Sequence, residues 1–284
     1  MTTVLLHGLG SDRRQPLGIF EPVVQAVSGP DELIVAPDVR AHGGFLSVGE
    51  PADFHLDRLA AEICEQVPAS LVDAHPGHGE PDDAVTLIGI SMGAAIALRI
   101  AMLGLLPVRR AVFVRPAFDD RSLPDNLRPF PVIGQILADA GPAGADEFRE
   151  RAIFQHVLSV SPAGAAEFQE RAIYRELASS TPAGGRALLA QFQAPDAARR
   201  AMRLVEIPRN RAFADDAELE ELTARGIRSL VVGAPRDPVH PFGIAERWAG
   251  GLHTMLELVP ARDDGQALQT SVLRERVARW LQRD

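Results

Sequence analysis

Val85-Thr86-Leu87-Ile88-Gly89-Ile90-Ser91-Met92-Gly93-Ala94-Ala95-Ile96-Ala97-Leu98 carries an apolar run straight into an alanine-rich one, across the turn Gly89-Ile90-Ser91-Met92-Gly93. Four to six apolar residues without alternation suit a strand covered on both faces. The stretch that follows, residues 94–103, is composed of good helix formers. A serine between strand and helix sits on a strained turn, where only glycine tolerates close approach on either side. Such a turn lifts the hydroxyl above the sheet. It also aims the free N–H groups of the helix start at any negative charge developing nearby. Ser91 is therefore the candidate nucleophile.

The same alternation extends in both directions. Apolar runs at residues 2–6, 33–36, 85–90, 111–114, 229–232 and 255–259 are separated by helical patterns. Helices between such runs supply the crossovers that parallel strands require. The expected fold is α/β: a doubly wound, mostly parallel sheet of about six strands, with its ligand site beyond the C-terminal strand ends. The gap between the fourth and fifth runs is too long for one crossover. Residues 118–212 are expected to form an inserted helical cap, and residues 1–117 and 213–284 the core. Within the cap, Pro142-Ala-Gly-Ala-Asp-Glu-Phe-Arg-Glu-Arg-Ala-Ile-Phe154 returns as Pro162-Ala-Gly-Ala-Ala-Glu-Phe-Gln-Glu-Arg-Ala-Ile-Tyr174, and Pro182-Ala183-Gly184 begins a third echo. Proline after Gly141, Ser161 or Thr181 is a helix-start signal, so the repeat predicts successive short helices.

Composition narrows the function. The 284 residues carry a net charge of −9 and no basic stripe, which argues against nucleic acid and anionic membranes as partners. No apolar run approaches the roughly 18 residues of a membrane span, and Met1 leads directly into the first strand without a secretion signal. Cys64, the single cysteine, lies on the apolar side of a helical pattern and reads as a buried side chain. A cytoplasmic protein with a small-molecule substrate is expected. No metal-ligand cluster and no phosphate-binding glycine loop is present, so no cofactor or metal is expected.

These features resemble the α/β-hydrolase family. His7-Gly8-Leu9-Gly10, after the first strand, resembles its oxyanion loop, and Ala36-Pro37-Asp38-Val39-Arg40-Ala41-His42-Gly43 resembles its Asp-x-Arg-Gly-His-Gly loop. The resemblance implies that the N–H groups of Leu9 and Met92 hold the oxyanion of a tetrahedral intermediate. It also implies that His7 and His42 brace loops. The family has two further strands before the first one here, which predicts a sheet shorter at one edge and a homodimer as one way of covering it.

In the family an acid follows the penultimate strand, and Asp237 in Gly233-Ala234-Pro235-Arg236-Asp237-Pro238-Val239-His240-Pro241 fits by position and chain order. The family's histidine follows the last strand. Here that loop, Val259-Pro260-Ala261-Arg262-Asp263-Asp264-Gly265, has none, and none follows. A serine hydroxyl is a poor nucleophile without a base. His240, three residues beyond Asp237, is the candidate base. His156 of the cap, Asp263 or Asp264 acting through water, and the absence of any base stay open beside it. Arg115, in Val114-Arg115-Pro116 at the site end of the fourth strand, is either a holder of a substrate carboxylate or the partner of Asp119 or Asp120. Most of the cap arginines read as solvated helix faces. Three functions follow: a carboxylesterase-like hydrolase of a small ester, thioester or lactone; a relative without hydrolysis, such as a lyase, isomerase or cyclase, its triad incomplete; or a ligand-binding protein.

Overall fold

The computed structural model describes residues 2–68, 84–139, 162–194 and 196–283. The first copy of the proline-led repeat lies outside these residues. Six strands form one sheet: β1 (Thr2–Leu6), β2 (Leu33–Val35), β3 (Val85–Ile90), β4 (Val108–Val114), β5 (Arg228–Gly233) and β6 (Leu256–Leu258). Their order is β2-β1-β3-β4-β5-β6, and every neighbouring pair is parallel. The chain steps from β1 outward to β2, then returns to the other side of β1 for β3. The loops leaving β1 and β3 therefore diverge and open a crevice at that switch point.

Strand side chains divide by a period of two. Leu5, Ile88, Val112 and Leu230 face one side, where they pack with Phe20 and Val24 of α1 (Arg14–Ser28) and Leu273 and Val277 of α11 (Gln266–Leu281). Val4, Leu87, Ala111 and Val231 face the other side, against Leu59 and Ile63 of α2 (Leu56–Glu65) and Ile96 and Ile100 of α3 (Met92–Met102). Cys64 of α2 is buried, and burial pushes its thiol up to about 12, so it stays protonated. β4 begins earlier than its apolar run predicts. Arg109 and Arg110 mask the strand signal, although Arg110 donates to Thr86 Oγ1 and to the Leu281 carbonyl.

Between β4 and β5 lie α4 (Pro129–Asp139), α5 (Pro162–Gln169), α6 (Ala172–Ser180), α7 (Pro182–Leu189) and α8 (Met202–Glu206). Two proline-led copies thus begin helices, and Thr181 caps α7 by accepting from the Gly184 N–H. The chain then returns through α9 (Asp216–Ala224) to β5, and α10 (Phe242–Gly251) joins β5 to β6. Among the described residues no helix is long and apolar enough to cross a membrane.

Candidate active site

Ser91 leaves β3 with φ 55° and ψ −110°, a left-handed conformation that non-glycine residues rarely adopt. Two glycines make the turn possible. A Cβ on Gly89 would stand 2.2 Å from the Gly93 carbonyl oxygen, and one on Gly93 would stand 2.4 Å from that of Leu6. The Ser91 N–H still donates to the Val114 carbonyl at 2.9 Å, so the strained residue stays tied to the sheet.

After β5, Asp237-Pro238-Val239-His240 closes a turn in which the His240 N–H donates to the Asp237 carbonyl at 3.1 Å. Asp at the first turn position and Pro at the second favour this geometry. The turn brings the two side chains together. His240 Nδ1 lies 2.9 Å from Asp237 Oδ2, and His240 Nε2 lies 2.9 Å from Ser91 Oγ. The histidine expected after the last strand is thus replaced in space by one after the penultimate strand. Burial, the largest influence, lowers the His240 imidazole below its ordinary 6.5 despite the opposing pull of Asp237. Burial alone would raise the Asp237 carboxyl, but His240, Arg115 and Arg262 together hold it well below the usual carboxylate range.

The loop after β1 is held on both sides of Leu9. Gly8 N–H donates to Gln15 Oε1 at 2.8 Å, and Gly10 N–H donates to His42 Nε2 at 3.0 Å. His7 Nε2 accepts from the Val39 N–H, and its Nδ1 lies 2.9 Å from the Gly8 carbonyl. Both imidazoles accept a backbone N–H at Nε2, which is the neutral tautomer, and burial lowers both below the ordinary value. Among the described residues the Leu9 N–H takes no hydrogen bond. Met92 is the first residue of α3, so its N–H has no carbonyl within the helix to bond.

A cavity of about 230 Å³ opens above Ser91, lined by Gly8, Leu9, Asp237 and His240 at the strand ends and by Phe130, Leu188 and Gln191 from the segment between β4 and β5. Arg115 lies in its wall. The pairing expected with Asp119 or Asp120 does not form: Asp119 binds Arg121, and Asp120 binds Arg247. Arg115 Nη1 stands instead 3.5 Å from Asp237 Oδ2. Burial, with Arg262 nearby, pushes its guanidinium down to about 10.

The remaining candidates are engaged elsewhere. Asp263 accepts from the Thr181 hydroxyl and from the Ala183 N–H, and Asp264 binds Arg236. His55 and His253 are exposed, and His253 faces Glu220. His75, His78 and His156 lie outside the described residues. Not every cap arginine is solvated. Arg200 and Arg203 are buried and donate to the Gly43 and Ala41 carbonyls, which fixes the loop carrying His42. Sequence reasoning also missed Gln15 and Asn126. Asn126 Nδ2 donates to the carbonyls of Ala117 and Val239, beside the Asp237–His240 turn. A lone amide carries no spacing signal that would have found either. Among the described residues no cluster of His, Cys, Asp and Glu is placed to hold a metal.

A family model described as "Alpha/beta hydrolase family" matches residues 3–278. No curated protein matches the chain. Solved structures of similar fold include MenH from S. aureus, at 15% identity and a TM-score of 0.63, covering 99% of this chain and 92% of that one. The putative non-heme bromoperoxidase BpoC from Mycobacterium tuberculosis H37Rv is 18% identical, with a TM-score of 0.59 and coverage of 99% and 90%. A thermophilic esterase from Thermogutta terrifontis is 16% identical, with a TM-score of 0.59 and coverage of 99% and 89%. At these identities the likeness is one of fold.

Proposed function

The chain belongs to the alpha/beta hydrolase family, and from that premise we propose that it is a serine-dependent hydrolase of a small ester, thioester or lactone. One observation carries the reading: Ser91 Oγ, His240 and Asp237 form a continuous hydrogen-bonded line beneath a cavity, each contact at 2.9 Å. The alternative without hydrolysis rested on the lack of a base, and a histidine 2.9 Å from Ser91 Oγ supports hydrolysis over it.

The chemistry follows from the donors and acceptors. Asp237 accepts a hydrogen bond from His240 Nδ1–H, which leaves Nε2 free to accept from the serine hydroxyl. As Oγ bonds to the substrate carbonyl carbon, its proton passes to Nε2. The carbonyl oxygen gains the charge and is met by the N–H groups of Leu9 and Met92, each worth roughly 3 kcal/mol in such a role. The imidazolium then gives its proton to the departing alkoxide or thiolate, and water repeats the sequence to release the acid. A cavity of about 230 Å³ suits a small substrate better than a polymer.

A fluorophosphonate probe tests the reading, because rapid stoichiometric labelling requires an activated serine. Labelling is expected at Ser91, together with turnover of short p-nitrophenyl esters. Ser91→Ala abolishes both, and His240→Gln slows turnover by roughly 10³-fold or more. Wild-type protein that takes no label and turns over no ester would refute it.

A further inference from the structure

Two polar atoms in the cavity wall are buried and lack a hydrogen-bond partner: Arg115 Nη1 and Gln191 Oε1. Buried polar atoms are seldom left in this state unless something else completes them. Arg115 is 7% exposed and makes no side-chain hydrogen bond among the described residues. Its Coulombic partner, Asp237, is already committed to the His240 ring. Arg262 lines the same cavity, forms no ion pair among the described residues, and repels Arg115. The cavity therefore holds uncompensated positive charge in a molecule whose net charge is −9.

We propose that the substrate carries a carboxylate away from the scissile bond, bound by Arg115 and Arg262. This deepens the hydrolase reading and rests on it only for the chemistry at Ser91. A guanidinium edge matches the planar carboxylate, and a charge-assisted bond is strong where water is excluded. Phe118, Leu127, Phe130 and Val239 line the same space and accommodate a short hydrocarbon linker. Gln191 Oε1 is turned onto the oxyanion loop, close enough that a Cβ on Gly10 would lie 1.9 Å from it.

Calorimetry with succinate, glutarate and adipate on the non-hydrolysing Ser91→Ala protein decides the proposal. At least one dicarboxylate is expected to bind, and Arg262→Gln or Arg115→Gln to weaken it about ten-fold or more. Arg262 is half-buried, so its variant stays informative if the one at buried Arg115 fails to fold. The absence of binding up to about 10 mM, or binding that neither variant weakens, overturns the proposal. A parallel assay keeps hydrolysis separate, comparing mono(4-nitrophenyl) glutarate with 4-nitrophenyl pentanoate. If neither ester is turned over, the hydrolase reading falls while the calorimetry still stands for or against the carboxylate subsite.

Discussion

At the scale of the residue, the base proposed at His240 has a side chain only 11% exposed, which favours its neutral form. A general base must be deprotonated, and burial disfavours the charged imidazolium. Arg115 and Arg262 also oppose protonation, whereas Asp237 favours it, and the net shift is downward from 6.5. A base so placed would stay deprotonated into more acidic solution than a free histidine. The acid limb of kcat/KM for a short p-nitrophenyl ester is expected to have its midpoint below pH 6.5, since that limb reports the free enzyme's base. A midpoint at or above 6.5 would contradict the assignment. Ser91 and Asp237 were legible because chain order and turn residues mark them. The placement of His240 beside Ser91 was less legible, because its reach depends on how four residues turn. Asp237-Pro238 does signal a turn, but sequence alone does not say that the turn closes toward Ser91.

At the scale of the element, the Asp237–His240 turn is fixed from outside. Asn126, at the entry to the cap, donates to Val239 within the turn and to Ala117 after β4. Replacing it leaves two carbonyls without that donor. Asn126→Ala is expected to cost about 1–3 kcal/mol of stability and, by loosening the His240 position, roughly ten-fold in kcat/KM. Asn126→Asp has the same size but cannot donate, so a positioning role predicts the same loss from it in a steady-state assay. An Asp variant as active as wild type would show that the amide donor is not what matters. The loop after β6 illustrates the limits of resemblance. The family places a base there, whereas here Asp263 holds α7 through Thr181 and Ala183. The strands were legible as elements because buried parallel strands are continuous apolar runs. Their ends were less so, as the charged start of β4 shows, because charged residues at a strand edge carry no apolar signal.

At the scale of the molecule, the helices between β4 and β5, the expected cap, share one apolar interior with the sheet. Phe168 of α5, Phe192 and Leu188 join the same buried cluster as Leu87, Phe113 and Trp248 on the sheet face. Phe168 is fully buried, with Tyr174 and Phe192 rings at 5.4 and 5.8 Å. A cap with an independent core would unfold by itself; one that completes the core's interior should not. The chain's two tryptophans report on both faces of the sheet, Trp248 in the shared cluster and Trp280 against the opposite face. Thermal unfolding followed by tryptophan fluorescence and by far-UV circular dichroism is therefore expected to coincide. Phe168→Ala, made in the cap, should lower stability by about 3–5 kcal/mol and shift the tryptophan transition with it. Two separated transitions, or a fluorescence midpoint indifferent to Phe168→Ala, would mean that the cap is an independent unit whose closure over Ser91 is not enforced by the core.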